Sequence, residues 1–186
     1  MKNHGMKFVQ TLFAAVVVAL AFSACGEKKQ EKDIIAKKPV VKAPASPVRM
    51  QDSSFSDAVD WLGKQYSFSI VRTADTGLPV VVDDAGGKYY DNKIAVNVKR
   101  PDGTVFFDKT FTKDDFSSQV SGDYLKKSAL LGVVFDHVDG DNLVFAASVG
   151  APDALSDDYV PLLLTVSRMG AVSISKDMRL DGEMEE

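Results

Sequence analysis

The chain has 186 residues, 45 % of them hydrophobic, enough for the core of one globular domain and too little for a second. A single cysteine and two histidines exclude a disulfide framework and a multi-histidine metal centre. Charge is unevenly spread: from Gln51 onward 13 basic residues face 23 acidic ones. That net −10 repels phosphate backbones and excludes nucleic acid as a partner.

In chain order, Lys2 and Lys7 precede the apolar run Phe8 to Phe22, and Phe22-Ser23-Ala24-Cys25 follows. This is the plan of an export signal, residues 1–24, and its last residues resemble a lipobox, with Phe22 where Leu is most common. The apolar run is shorter than the roughly 20 residues a membrane-crossing helix needs, and no later run is longer. Cys25 is therefore expected to bear a lipid and to make the membrane the first partner. Two or three acyl chains hold durably where one does not. The alternative is cleavage by the ordinary signal peptidase, leaving a stray thiol. Residues 25–50 are rich in Lys, Pro and Ala, with seven basic side chains against three acidic. They read as a tether suited to anionic lipid or as a merely solvated spacer.

The domain is expected over residues 51–178, with an acidic tail at 179–186. Ser54 and Asp57 suggest a weak cap, and Phe55, Val59, Leu62 and Tyr66 share a helical face, so a short helix is predicted there. Strands are predicted at Ser67 to Arg72 and Leu78 to Asp83. Ile94, Val96 and Val98 alternate with polar neighbours, Arg100 to Thr104 turns the chain, and Val105 to Phe111 returns. Asp114 to Val120 and Asp123 to Ser128 look like helical turns broken by Gly122. Leu131, Val133 and Phe135 lead through a turn at Val138 to Asn142 into Leu143, Phe145, Ala147 and Val149. Val160 to Val166, a turn at Met169-Gly170, and Val172 with Ile174 form a third pair.

About eight strands linked between sequence neighbours predict a mainly β fold, an antiparallel meander closing into a barrel with short helical segments. A β-sandwich is the alternative.

Several stretches resemble a domain-of-unknown-function family of small Bacteroidetes (Bacteroides and Prevotella) lipoproteins. They are Tyr90-Asp91-Asn92 through Val98, Arg100-Pro101-Asp102-Gly103, Phe107 to Phe116, Val149 to Asp153, and Asp158-Tyr159-Val160-Pro161. The resemblance covers roughly Ser67 to Ser175. It implies a lipocalin-like barrel and a cell-envelope location, and brings no catalytic residue with it.

The residues themselves offer no catalytic constellation, zinc motif or phosphate loop, so no catalytic residue and no cofactor is assigned. His137 continues the alternation of Leu131, Val133 and Phe135 and could face a barrel mouth as base or ligand; a strand-end histidine satisfied by backbone or water is the plainer reading. Asp136, Asp139 and Asp141, with Asn142, resemble part of a calcium loop but lack the glutamate at the twelfth position, and a solvated turn explains them as well. Asp153, Asp157 and Asp158 form a second acidic loop that could complete a site if the two loops meet. Trp61, Tyr89 and Tyr90 could stack on a sugar or lipid, or simply pack.

The expected function is a non-enzymatic envelope module that binds a small ligand or an envelope protein. The alternatives are a hydrolase with paired carboxylates and a purely structural envelope protein. The basic Glu27-Lys28-Lys29 after Cys25 favours the periplasmic face of the outer membrane.

Overall fold

The computed structural model describes residues 46–180. The expected signal segment, Cys25, most of the tether and residues 181–186 of the acidic tail lie outside the described residues. All described residues belong to one compact unit, Val41–Glu186.

Ten strands run through the described chain: β1 (Ser53–Trp61), β2 (Lys64–Ala74), β3 (Val81–Val82), β4 (Lys88–Tyr89), β5 (Asn92–Lys99), β6 (Val105–Phe111), β7 (Ala129–Asp139), β8 (Asn142–Gly150), β9 (Tyr159–Ser167) and β10 (Val172–Lys176). One short helix, α1 (Gly122–Lys127), and two 3-10 turns (Lys113–Phe116 and Met178–Leu180) complete them. The fold is mainly β and antiparallel, as the alternation of apolar and polar residues requires. In β5, Ile94, Val96 and Val98 are buried while Lys93 and Lys99 are exposed, which is the period of two that one buried face imposes.

The strands form two open four-stranded sheets, β1-β2-β5-β6 and β10-β9-β8-β7, plus the small β3-β4 hairpin. The expected barrel does not close among the described residues: β6 pairs only with β5, and β7 only with β8. Instead of pairing with β7, β6 leads into residues 112–128, whose 3-10 turn and helix carry the chain over to the second sheet. The arrangement is consistent with the sandwich alternative. Side chains from both sheets fill the space between them. The ring of Phe68 on β2 lies 4.9 Å from that of Phe135 on β7, which in turn lies 5.6 Å from that of Phe145 on β8. Phe111, Phe116, Leu143, Leu162 and Leu164 are fully buried. These contacts are those of a close-packed core between two sheets.

The helix predicted between Ser54 and Tyr66 is instead the β1-β2 hairpin. Phe55 and Val59 lie four residues apart, a spacing that fits a helix face and one strand face equally, and Leu62-Gly63 decides the matter. Both residues have positive φ, +52° and +70°, which makes a two-residue turn of type I′. Such a turn prefers Asn-Gly, and a leucine in the left-handed region costs about 1 kcal/mol. Leu62→Asn should therefore stabilise the fold by about 1 kcal/mol, read as a rise in the urea midpoint at unchanged m-value. Of the strand predicted over Leu78 to Asp83, only Val81–Val82 pairs. Gly122, expected to break the helical stretch, begins α1, with the hydroxyl of Ser121 accepting from the Tyr124 amide at 3.4 Å.

A buried polar cluster ties the two sheets at one end. Asp91 is 1 % exposed; one carboxylate oxygen accepts from the backbone amides of Asn92 (2.8 Å) and Leu130 (3.0 Å). The other lies 3.3 Å from the Lys113 ammonium, which donates to the Ser128 carbonyl at 2.8 Å. Asn92, fully buried, donates to the Leu130 carbonyl at 2.8 Å. The start of β5, the 3-10 turn after β6 and the start of β7 are thereby joined, and the loops that form the candidate site rest on this junction.

Candidate functional site: an acidic cleft between three loops

Three segments far apart in sequence converge beside the Asp91 junction: the β3-β4 hairpin, α1, and the loop between β8 and β9. They enclose an open cleft of about 450 Å³ lined by Asp83, Asp84, Asp123, Asp153 and Asp158 with Tyr124 and Lys127. A second groove of about 580 Å³ shares Ala151, Asp153 and Ser156 with it and continues past Tyr89 to Arg49, Met50 and Leu131.

Each wall has a local cause. Asp83 closes the β3-β4 turn, one carboxylate oxygen accepting from the amides of Ala85 (2.9 Å) and Gly87 (2.7 Å). A Cβ at Gly87 would come within 2.9 Å of the Tyr89 ring and hydroxyl and 2.7 Å of the Asp83 carboxylate, so a side chain there would require both to shift. Burial holds the Tyr89 hydroxyl above its ordinary pKa, helped by the charges of Asp83 and Asp153. In the opposite wall Asp153 accepts from the Leu155 amide at 3.0 Å, and the Ala151 amide donates to the Asp158 carbonyl at 2.9 Å, folding the loop back on itself. Helix α1 bridges both walls: Lys127 pairs with Asp84, and the Tyr124 hydroxyl donates to Asp158 at 2.9 Å.

Burial, and then the Asp158 carboxylate, push the Tyr124 hydroxyl up to about 12. Because the folded value lies above the ordinary value near 10, the neutral phenol favours the fold. That contribution is complete below pH about 10 and is lost as the pH rises through about 12. In an alkaline titration followed by tyrosinate absorbance, Tyr124→Phe should delete the last step, and Asp158→Asn should move that step to lower pH. An unchanged last step in Tyr124→Phe would assign it to another tyrosine.

The residues singled out in sequence are distributed differently. His137 does not face the interior. β7 carries an irregularity between Phe135 and His137, and the extra residue of such a bulge reverses the side-chain alternation. Phe135 and Val138 pack on the core while the His137 ring is exposed, 3.1 Å from Asp136. Asp136 also accepts from Arg179 at 2.7 Å, and Asp141 from Arg168 at 2.9 Å. The hydrogen bond from Arg179 holds Asp136 below the usual carboxylate range, as expected of an ion-paired structural acid. Asp136, Asp139 and Asp141 therefore do not converge as metal ligands, and no group of three or more His, Cys, Asp or Glu side chains is placed to hold a metal among the described residues. The two acidic loops cannot meet, because the nine residues of β8 separate them, about 30 Å at the rise of a strand. Asp153 and Asp158 instead join Asp83, Asp84 and Asp123, from which they are far apart in sequence. Trp61 is core, 1 % exposed, and Tyr89 lines the second groove.

This is an antiparallel two-sheet module with a filled interior and an acidic, tyrosine-bearing cleft at one end. The chain belongs to the family described as Domain of unknown function (DUF4738), whose sequence profile matches residues 32–174. The match takes in every strand but the end of β10, and reaches back to Lys32 in the expected tether. No curated protein matches the chain.

Proposed function

We propose that this chain is a lipid-anchored module of the bacterial cell envelope, without enzymatic activity, that binds a cationic ligand or the basic surface of an envelope protein in the acidic cleft. Cys25 bears the lipid, and the mature protein stands on the periplasmic face of the outer membrane of a Bacteroidetes bacterium. The observation that carries the binding reading is the contrast between a side-chain-filled interior and an open cleft in which a hairpin, a helix and a loop present five aspartates. Carboxylates at a concave mouth concentrate cations. Those of Asp83, Asp84, Asp153 and Asp158 already accept bonds from neighbouring amides, Lys127 or Tyr124, which suits a pre-formed receptor surface better than an acid awaiting a proton. The anchor is supported by the residue pattern ending at Cys25.

Tetralysine is the probe for the cleft. Titrated into the isotopically labelled protein, it should shift the amide resonances of Asp84, Tyr124 and Asp158, and Asp153→Asn with Asp158→Asn should weaken that binding about tenfold, the effect of losing about 1.4 kcal/mol. Shifts spread evenly over the acidic surface would contradict a defined site. Metabolic labelling with an alkyne analogue of palmitate tests the anchor separately: the label should depend on Cys25 and vanish in Cys25→Ala.

A further inference from the structure

The first described residues run along the hairpin that walls the cleft. Val48 bridges Tyr89 in parallel, its amide donating to the Lys88 carbonyl at 2.8 Å and its carbonyl accepting from the Tyr90 amide at 2.9 Å. Parallel pairing fixes a direction: going back from Val48, the chain heads, as β4 does, toward the Asp83–Gly87 turn. The first cation met on that way is Lys42, in Lys42-Ala43-Pro44-Ala45-Ser46-Pro47. Each proline keeps the residue before it out of the helical region. The segment therefore favours an extended course of about 3.1 Å per residue, which puts Lys42 about 19 Å from Val48. Asp84, five residues before Tyr89, is at most about 17 Å from it at the rise of a strand. Lys42 is thus delivered to the level of the turn.

The turn offers a seat for an ammonium group. The Asp83 carboxylate and the Tyr89 hydroxyl come together over the Gly87 backbone, and Asp153, which lines both the cleft and the second groove, acts on the same hydroxyl through its charge. The neighbouring cations are engaged elsewhere: Lys127 pairs with Asp84, Lys126 with Asp123, and Arg49 donates to the Ala74 carbonyl at 3.2 Å. Lys88 alternates to the face of β4 opposite Tyr89. Asp83 and Asp153 are left without a cationic partner among the described residues.

We propose that Lys42 is the chain's own occupant of the cleft, its ammonium seated between Asp83 and Asp153 beside the Tyr89 ring, so that an external cationic ligand binds by displacing it. This occupancy rests on the cleft reading above and adds its regulation. The affinity for an external ligand is lowered by the fraction of time that Lys42 holds the seat, and an aromatic ring beside the two carboxylates suits a lysine ammonium.

Zero-length carbodiimide coupling of the mature-length protein carrying Cys25→Ser, followed by peptide mass spectrometry of the monomer, reads the contact. An amide between Lys42 and Asp83 or Asp153 is expected, with the Lys127–Asp84 amide as internal standard. No Lys42 amide where the standard forms overturns the proposal, as do Lys42 amides spread over acids of the whole surface. Tetralysine titrated into the same protein and into its Lys42→Ala variant adds a second readout. The variant should bind about threefold tighter, as when Lys42 leaves the site free about a third of the time, and equal measurable affinities overturn the proposal. If neither protein binds tetralysine while the Lys42 amide still forms, the receptor reading of the cleft falls and Lys42 stands as its permanent occupant.

Discussion

Asp91→Ala should destabilise the protein by about 3 to 5 kcal/mol, the range found when one partner of a buried ion pair is removed. The side chains of Asp91 and Lys113 are 2 % and 12 % exposed, so the substitution leaves an ammonium in a low-dielectric setting with only the Ser128 carbonyl to solvate it. It also strips the acceptor from the Asn92 and Leu130 amides, each a buried donor whose desolvation is then uncompensated. Replacing both charges together, Asp91→Asn with Lys113→Met, should recover a large part of the loss, because a well-packed neutral pair avoids the desolvation of two ions. Urea unfolding of Asp91→Asn, Lys113→Met and the double variant measures the coupling. Strict additivity of the two single effects would mean that the pair is not a unit.

Gly150→Ala is the second large effect, with an expected loss of about 3 kcal/mol. A Cβ at this position would overlap the Asp158 carbonyl and lie about 2.5 Å from Tyr159, backbone and near-backbone atoms that have no other place to go. The overlap arises because the cleft loop returns across the end of β8, where Gly150 pairs with Tyr159. Gly132 on β7 is the control: its added Cβ meets only the Ser148 hydroxyl at 3.7 Å, an ordinary contact. Gly132→Ala should change stability by less than about 0.5 kcal/mol. Equal effects at the two positions would point to strand propensity rather than to close approach of the loop. Because the loop lost in Gly150→Ala is a wall of the cleft, the same variant should also weaken tetralysine binding.

The β content was legible wherever one face is buried. In β5, β8 and β9 the alternation survives into the burial pattern almost unchanged. Legibility failed where a single residue alters the phase. His137 reads as inward by counting from Leu131, and the extra residue in β7 turns it outward. Phe55 and Val59 read as a helix face because four is a multiple of two, and the Leu62-Gly63 turn that settles the hairpin contradicts local propensity at its first position. Closure of the sheets was illegible as well, since a meander has the same strand-to-strand pattern whether its last strand pairs with its first or the chain crosses to a second sheet. The cleft was the least accessible feature. Asp83-Asp84 and Asp153 to Asp158 are about 70 residues apart in sequence, and they are brought together by long-range contacts, the buried Asp91-Lys113 junction and the bonds from Lys127 to Asp84 and from Tyr124 to Asp158, among residues that look like ordinary surface polar groups. Tyr90-Asp91-Asn92 carries part of the family resemblance, and its structural cause is the buried cluster that Asp91 and Asn92 form with Leu130 and Lys113.

Native mass spectrometry of the mature protein, released gently from its own membranes, tests most directly whether the cleft binds a ligand. The account predicts an added mass that is lost on denaturation and absent from the Asp153→Asn, Asp158→Asn variant prepared in the same way. The bare mass of the chain in both preparations, or an added mass that the two substitutions leave in place, would contradict it.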